Sequence, residues 1–518
     1  MKISGIQEIL PQCIDYKQIK KSLIKGTRRT VRLNPANEVN NFSYANNRII
    51  RFNVPCNGFL DLQNTIFNFI AQGSSAYSND GNLVIFTASC DNTGVLTVTN
   101  VQSGALYIDM PVTGTGLSAG TRILSFISGT GGVGTYQTTN TNVVGSINMT
   151  GPPALIAFNN FIECVINRLE IFAGDGNTQI ESLHNYNLNA TEKVKYMVSN
   201  NYSDSIGRIQ QGLYISETIN GGGNGVRDAL RSQCLKSQGY GVNFISSGIF
   251  QNDIKYLPLA LMSGLSGYSR SMVIEITLEQ PYLCMNSSVS SDILNYNLSQ
   301  AYLNLELIEM PELEMKLMND VKNGMIMAIP YQTADLWTNQ VNSQGEYVIS
   351  FAEYKEYLQS IRTVFLPQKL NATTSYTHDW IRPDINNYQY KIKDTWYPTL
   401  PVQMALANDV NQNATQYVEL LKVFGMTKDY KNGNITDNQS AVTTDFMIAQ
   451  TLQTFYNDKS YMMNSGEYWL DGVDTSDSQQ VVFRMYLNNA PATTLSIYTF
   501  FDFVGALVFD KFKMNVIK

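Results

Sequence analysis

Residues 48–72, RIIRFNVPCNGFLDLQNTIFNFIAQ, constrain the fold of this chain more than any other stretch. Ile50, Phe52 and Val54 alternate with polar residues, which is the pattern of a β-strand that buries one face. Pro55 and the Asn-Gly pair after it predict a turn, because proline cannot donate to a sheet and Asn-Gly favours tight turns. A second run, rich in aromatic and β-branched residues, follows. Two amphipathic strands so close together need a facing sheet, so the stretch predicts half of a β-sandwich.

The composition narrows the class of protein. Of 518 residues, 44% are apolar and only 15% are charged, against about 25% in a typical soluble domain. Such a polar but uncharged surface is common in strand-rich chains and in chains that bury large areas against other subunits. The net charge of −7 argues against a general nucleic-acid binder. No apolar run approaches the roughly 18 residues of a membrane-spanning helix.

The cysteines and the first residues indicate folding in a cytosol-like compartment. All six cysteines lie before residue 285 and none shows CxxC spacing, so free and mostly buried thiols are expected rather than a disulfide framework. They are Cys13, Cys56, Cys90, Cys164, Cys234 and Cys284. The opening MKISGIQEILPQCIDY lacks the apolar core of a signal peptide.

The strongest charge asymmetry lies near the N-terminus, in a region that we call the basic arm (residues 1–35). Seven basic residues and no acidic residue occur between positions 17 and 32. They are Lys17, Lys20, Lys21, Lys25, Arg28, Arg29 and Arg32. The arm is either a solvated tail or a segment that contacts an anionic partner such as a genome, membrane headgroups or an acidic protein.

Residues 74–153 predict a small all-β insertion. They are rich in Gly, Thr, Ser and Val, contain Arg122 as their only basic residue, and show short alternating strands between glycine-rich turns. The run GTGLSAGTRILSFISGTGGVGTYQTT within them resembles a β-hairpin module of phage and giant-virus surface proteins. Insertions of this size are tolerated at exposed loops.

Two glycine patterns were weighed as phosphate sites and rejected. Gly129, Gly131 and Gly134 form a literal GxGxxG, but TYQTTNTN follows where a dinucleotide site needs a helix. The glycine-rich run 221–225 precedes a predicted helix, yet it lacks the Gly-Lys-Ser/Thr ending of a phosphate-binding loop. Neither pattern predicts a nucleotide or any other cofactor.

No catalytic arrangement is visible in the sequence. His184 and His378 are the only histidines, and neither has a neighbouring ligand at metal spacing. This leaves little basis for a Ser/His or Cys/His arrangement. We therefore expect no enzyme, no metal and no cofactor. A carbohydrate-active β-sandwich enzyme stays as a lesser alternative, because a pair of Asp or Glu residues leaves no sequence signature.

The second half of the chain is expected to repeat the β pattern. A Ser- and Asn-rich linker, residues 286–299, precedes the strand AYLNLELIEM and a helix that begins at Pro311 and ends before Gly324. Further helices are predicted at ATQYVELLKVFG and at DFMIAQTLQTFYN, residues 445–457. The last strands are predicted in VVFRMYLNN, TTLSIYTFFDF and ALVFDKFKMNVI.

The order of these elements resembles a known family. The strand Ile-x-Phe-x-Val-Pro, its turn, and Gly-Phe-Leu-Asp-Leu-Gln-Asn-Thr look like the opening of double jelly-roll major capsid proteins of the virophage and Polinton-like virus type. VINRLEI, SGIFQNDIKYLPLALM and VIEITL add to the resemblance. The resemblance is carried by residues 46–72, 162–190, 247–280 and 481–516. The insertion departs from the family pattern, in which such additions come from later loops.

The resemblance implies an all-β fold of two consecutive eight-stranded jelly rolls with a few short helices in loops. The implied domains are the basic arm at 1–35, a first jelly roll at 36–285 interrupted by 74–153, the linker at 286–299, and a second jelly roll at 300–518. The implied function is that of a major capsid protein of a small double-stranded DNA virus, made in the host cytoplasm and incorporated into the virion.

The implied partners follow from that function. Three chains would form a homotrimer, and these pseudo-hexagonal capsomers would tile an icosahedral shell with neighbouring capsomers and minor capsid or penton proteins. The basic arm would face an inner membrane or the genome, and surface loops would face a host receptor. An alternative, suggested by the hairpin-rich insertion, is a phage tail or fibre-like attachment protein.

Overall fold

The structure is a computed structural model. It describes residues 26–37, 39–79, 82–154, 156–158, 161–197, 206–212, 238–252, 254–262, 270–287, 289, 292–368, 380–404, 414–424, 446–454, 471–477, 480–511 and 513–517.

Strands dominate the described part of the chain. In chain order they are β1 (Thr27–Leu33), β2 (Asn41–Phe42), β3 (Ile49–Pro55), β4 (Phe59–Ser75), β5 (Val84–Cys90), β6 (Val95–Ser103), β7 (Ile123–Phe126), β8 (Gly134–Thr138), β9 (Val144–Gly151), β10 (Ile156–Phe158), β11 (Ile166–Ala173), β12 (Gln179–His184), β13 (Gln238–Val242), β14 (Tyr256–Pro258), β15 (Arg270–Leu278), β16 (Met285–Ser287), β17 (Leu294–Glu309), β18 (Met327–Val341), β19 (Gly345–Phe351), β20 (Leu358–Pro367), β21 (Ile385–Ile392), β22 (Thr395–Gln403), β23 (Met447–Thr451), β24 (Val481–Leu487), β25 (Leu495–Asp510) and β26 (Lys513–Ile517).

The helices are short. They are a 3-10 helix (Ile162–Val165), α1 (Tyr186–Met197), α2 (Ile206–Gln211), α3 (Leu259–Met262), α4 (Pro281–Cys284), α5 (Pro311–Lys322) and α6 (Ala414–Val423).

Two antiparallel sheets form a first unit. One sheet has the strand order β1-β17-β4-β13, with β2 and β14 added at its margins, and the other has the order β12-β11-β15-β3. The stretch 48–72 supplies one strand to each sheet, because β3 pairs with β15 while β4 pairs with β17. Phe52 and Phe67 meet between the sheets with ring centroids 5.7 Å apart. The predicted sandwich half is therefore two strands that face each other across one core.

A second unit repeats this arrangement. Its sheets have the orders β18-β25-β20-β23, with β26 added on β25, and β19-β24-β21-β22. Their facing sides enclose a separate apolar core that includes Phe351, Ile361, Phe483 and Phe501. Each unit thus has two facing four-strand paths, eight strands in all.

The predicted linker, residues 286–299, contains the start of a strand that belongs to the first sheet. β17 begins at Leu294, inside residues 286–299, and pairs with β4 and β1 of the first unit as far as Glu309. Helix α5 follows, with Pro311 at its start and Gly324 after its end as predicted. The second unit starts at β18. The basic arm likewise contributes β1 to the first sheet.

The insertion is a sheet that closes on itself. Its strands have the order β7-β8-β6-β5-β9. The segment 109–113 then joins the two outer strands: Asp109 N donates to Ile123 O (2.7 Å), while Thr113 and Thr150 exchange both backbone hydrogen bonds (2.8 and 2.9 Å). Closure leaves few unpaired strand edges. Inside lies its own apolar core, which includes Phe86, Leu96 and Tyr136.

Two sequence predictions for local structure were wrong, and one helix was missed. Residues 447–451, within the predicted helix 445–457, form strand β23, because Phe446 to Ala449 are all buried and β20 offers a free edge. β25 is one continuous strand over two predicted ones. Helix α1 was not predicted. The predicted helix after Gly221–Gly225 lies outside the described residues.

Candidate functional surfaces

Of the seven basic residues between positions 17 and 32, the structure describes three, and all three lie on β1 at the edge of the first sheet. Arg28 Nη2 contacts Asp61 Oδ2 at 2.9 Å and its Nε contacts Glu306 Oε2 at 2.9 Å. Arg29 pairs with Glu309 at 3.1 Å, and the guanidinium of Arg32 stacks on a tyrosine ring. Lys17, Lys20, Lys21 and Lys25 lie outside the described residues.

These contacts fix the charge of the β1 edge. Hydrogen bonds from Thr30 and then Arg28 lower the pKa of Glu306 below its ordinary value. The hydrogen bond with Glu306 is the main cause that raises the pKa of Arg28. Both arginines keep about half of their side chains exposed, yet each already faces a carboxylate of its own chain. The edge is therefore close to neutral overall, and its charged side chains still discourage pairing with strands of other chains.

The start of β1, in the described part of the basic arm, and the insertion lie at opposite ends of β17. β17 pairs Glu309 with Thr27 of β1 at one end and Leu294 with Ser75, where the insertion begins, at the other. Fifteen residues separate these two positions of β17, which is about 50 Å of strand. The first residues of β1 therefore lie at one end of this sheet, and the closed sheet of the insertion begins at the other.

The junction of the two units holds a buried ionic network around Arg362. This β20 side chain is 1% exposed, and it binds Asp502 of β25 through two hydrogen bonds of 2.7 Å. It also reaches into the first unit, where it contacts the Glu192 carboxylate and donates to Asn189 Oδ1 at 3.1 Å. Burial alone would raise the pKa of Asp502, but attraction to Arg362 and its hydrogen bonds hold that pKa below its ordinary value. Breaking such a buried pair is costly.

A second contact at the junction involves the loop 244–252 of the first unit. Asn252 Nδ2 donates to Pro330 O of β18 at 2.8 Å, and Tyr331 Oη donates to Ile180 O at 2.6 Å. Gly248 lies so close to β18 that a Cβ atom there would be 1.6 Å from Gln332 O. Only a residue without a side chain fits this approach.

Two buried glutamates hold the same loop in place. Glu181 accepts hydrogen bonds from Ser247 Oγ (2.5 Å) and Gly248 N (2.7 Å). Glu163 accepts from Tyr186 Oη (2.6 Å) and Ile245 N (3.3 Å). Burial raises the pKa of both carboxyls, that of Glu163 to about 7. Two effects oppose each other at these carboxyl groups. The hydrogen bonds favour the charged form, whereas burial favours the neutral form and has the larger effect.

Sequence reasoning missed this junction almost entirely. Helix α1, which carries Asn189 and Glu192, follows β12 directly and shows only a weak apolar stripe. Arg362 lies in a strand that the pattern of alternation does not single out. Asn189 belongs to an Asn-x-Thr sequence, but it is 1% exposed and bound to Arg362, so a glycan has no access to it in this fold.

The glycine pattern at 129–134 and His184 show no sign of a binding or catalytic site in the structure. Gly129 and Gly131 adopt left-handed backbone conformations in the turn between β7 and β8, and a strand rather than a helix follows. His184 is exposed at the end of β12. Within the described residues, no group of three or more His, Cys, Asp or Glu side chains is placed to hold a metal ion. None of the helices in the described ranges is long and apolar enough to cross a membrane.

The architecture defines the class of fold. Two consecutive units, each built of two facing antiparallel sheets of four to six strands, make this chain a double jelly roll, which confirms the fold class expected from the sequence.

Comparison with solved structures points to the same class. The Faustovirus major capsid protein matches 95% of this chain and 92% of its own length with a TM-score of 0.54 at 8% identity. The cryo-EM structure of the Sputnik virophage matches with a TM-score of 0.46 (10% identity, 98% and 92% coverage), and the mavirus major capsid protein with 0.42 (8%, 98% and 94%). The last two scores lie below 0.5, so the fold assignment rests on the Faustovirus protein. No protein-family model and no curated protein matches the sequence.

Proposed function

We propose that this chain is the major capsid protein of a double-stranded DNA virus and that it assembles as a trimeric capsomer. The observation that carries the proposal is the double jelly-roll fold, which matches a major capsid protein along 95% of the chain. Three chains of two units each present six similar lobes, and such a trimer can tile a surface with near-hexagonal symmetry.

The junction of the two units supports this role. A capsomer must keep its lobes at a constant angle to fit its neighbours, and buried polar contacts between the units hold that angle. The Arg362 network and the close approach at Gly248 supply such contacts. Buried ionic groups are a plausible means of specifying one arrangement over others, at some cost in stability.

We place the division of the chain at α5. The first jelly roll would comprise β1 to β17 and the second β18 to β26, with the insertion carried by the first. The proposed boundary thus moves from residues 286–299 to residues 310–326. The reason is that, in the described residues, β17 pairs only with strands of the first unit.

We further propose that the insertion faces outward and the basic arm inward. Their separation by about 50 Å along β17 supports this orientation. Arg28, Arg29 and Arg32 already have partners within the chain, so Lys17, Lys20, Lys21 and Lys25 would make the contacts with an inner membrane, the genome or an acidic minor capsid protein. The loops of the insertion would meet a host receptor, and the sides of the trimer would meet neighbouring capsomers and penton proteins in the virion.

Light scattering on the purified full-length chain tests the assembly. The expected mass is about 174 kDa, three times 58.0 kDa. A stable 58.0 kDa monomer at micromolar concentration would contradict the proposal. Extended fibres would favour an attachment protein instead.

A further inference from the structure

A lysine, an aspartate and a glutamate meet beside the apolar core of the second unit. Lys355 and Glu353 lie in the loop between β19 and β20, and Asp335 lies on β18. Lys355 Nζ contacts Asp335 Oδ2 directly and lies 3.9 Å from Glu353 Oε2. The side chains of Lys355 and Glu353 are only 11% and 4% exposed, so this group differs from the solvated ion pairs of a protein surface.

Aromatic rings form the surroundings of this group. Lys355 Nζ lies 4.0 Å from the centroid of the Phe503 ring, which is buried. Trp337 Nε1 donates a hydrogen bond to Glu353 Oε1, and the Trp337 ring packs edge-on against Phe351. Charged groups lose solvation free energy in such a place. An amide formed from the amine and a carboxylate is neutral and avoids that cost.

The backbone fixes the positions of the amine and of the aspartate. Lys355 N donates to Thr475 Oγ1 at 2.9 Å, and Thr475 N donates to Lys355 O at 2.7 Å. Asp335 lies within the continuous ladder of β18 and β25, opposite Phe501. Two groups that are held in contact react far more readily than free molecules, because the entropy of bringing them together is already lost.

Glu353 is placed to transfer protons. Burial, and after it the negative charge of Asp335, raise the pKa of Glu353 to about 7. A large share of this carboxyl group is therefore protonated near neutral pH. A protonated carboxyl group next to Nζ can give a proton to a departing oxygen and take one from the nitrogen, and amide formation requires both transfers.

We propose that Lys355 and Asp335 become joined by an intramolecular amide bond and that Glu353 transfers the protons. Nζ attacks Cγ of Asp335, the Nζ–Cγ bond forms and the Cγ–Oδ2 bond breaks. Of the three protons on the ammonium group, one stays on the amide nitrogen and two leave with Oδ2 as water. Glu353 returns to its starting state, so the step needs no oxidant or other reactant. The exposed part of Asp335, 39% of its side chain, lets the water leave.

The bond ties β18 to the loop that leads into β20, and it closes a covalent ring around β19. A cross-link of this kind restricts the unfolded chain and so favours the folded one. The reaction occurs once in each chain, without turnover. All of its groups belong to one chain, so the proposal does not rest on the proposed capsid function.

Mass spectrometry of the purified full-length chain tests the bond. The intact mass should be lower than that of the sequence by the mass of one water molecule, and digestion should yield a branched peptide with both Asp335 and Lys355. Lys393 and Asp477, a partly exposed ion pair at 3.0 Å, are the internal control, and their peptides should stay unlinked. A full sequence mass, or a loss of water located elsewhere, would overturn the proposal.

Variants distinguish the amide bond from an ion pair. Lys355→Arg keeps the positive charge, but it should have the full sequence mass, because a guanidinium group stays protonated. Lys393→Arg is the matched control and should still lose one water molecule. Persistence of the loss of water in Lys355→Arg would contradict the assignment of the nitrogen.

A further variant tests the proton transfer. Glu353→Gln keeps the size of the side chain and an oxygen for the hydrogen bond from Trp337. The bond should form at least about 100-fold more slowly in this variant, since it lacks the acid and base. Intact mass followed over time after cell-free synthesis measures the rate. An equal rate in Glu353→Gln and in the unchanged chain would overturn the role of Glu353.

Discussion

Two regions of the molecule are stabilised in different ways. The junction between the two jelly rolls depends on buried polar contacts, whereas the insertion depends on an apolar core of its own. The junction buries ionisable side chains: Arg362 contacts Asp502 and Glu192, and Glu163 and Glu181 lie close by. The insertion has only three aspartates and one arginine in residues 74–153, and it encloses its own apolar core. Buried hydrogen bonds and ion pairs are directional, so they hold the two units at one angle. A closed sheet is stabilised by the apolar side chains that it buries in its own core. Damage at the junction should therefore reach the whole chain, and damage in the insertion should stay local.

Removal of Arg362 should have the largest effect. Arg362→Met leaves the buried carboxyl groups of Asp502 and Glu192 without the cation that they contact, and we expect a loss of about 3–5 kcal/mol in the free energy of unfolding. Chemical denaturation measures it. Arg484→Met is the matched control, because the Arg484–Glu346 pair is about half exposed and such pairs contribute less than about 1 kcal/mol. Equal losses of stability in the two variants would contradict the expected difference between the buried and the exposed ion pair.

An added methyl group at Gly248 should be the next most damaging change. Gly248→Ala places a Cβ 1.6 Å from Gln332 O of the facing unit, so the loop or β18 must move. We expect a loss of about 3 kcal/mol, the upper part of the range for overpacking. Gly239→Ala serves as control, since nothing lies within 4 Å of a Cβ there. A Gly248→Ala protein as stable as the Gly239→Ala protein would show that the close approach is not tight.

The pH dependence of stability should reveal Glu163. Its pKa is raised from 4.5 to about 7 by burial, so the folded state binds the proton more tightly than the unfolded state. Its contribution is present below pH 4.5 and is lost as the pH rises towards 7. Between pH 5 and pH 8, the free energy of unfolding of Glu163→Gln should therefore decrease by about 1–2 kcal/mol less than that of the unchanged chain. Urea unfolding across this range measures it, and an unchanged pH profile would contradict the assignment.

Deletion of the insertion should have the smallest effect on the rest of the molecule. Ala154 N donates to Tyr77 O at 2.9 Å, so two glycines in place of residues 78–153 can rejoin the chain. The main unfolding transition should change by only about 1 kcal/mol, because few described residues outside 78–153 pack into the insertion's apolar core, namely Tyr77, Ala154 and Val289. Calorimetry checks this, with the Arg362→Met variant as reference. A shift as large as that variant shows would mean that the insertion supports the jelly rolls.

The sequence predicted those parts of the fold that periodicity controls. The alternation at Ile50, Phe52 and Val54 corresponds to β3, and the start and end signals of α5 are where they were expected. Periodicity failed where long-range packing decides. β23 is a strand because β20 needs a partner there, and no local signal in residues 445–457 reports that.

The junction could not be predicted for a related reason. Arg362 and Glu192 are 170 residues apart, and neither has neighbours in sequence that mark it as buried. The basic arm was visible as a charge pattern, but only coordinates show that Arg28 and Arg29 are already paired. The residues that hold the two units together thus leave weaker traces in the sequence than the strands that they connect.

Electron microscopy of the purified chain tests the central proposal most directly. If three double jelly rolls form one capsomer, class averages should show compact particles with a near-hexagonal outline of six lobes and three projections, one for each insertion. Isolated two-lobed particles, or particles of three lobes only, would contradict the account.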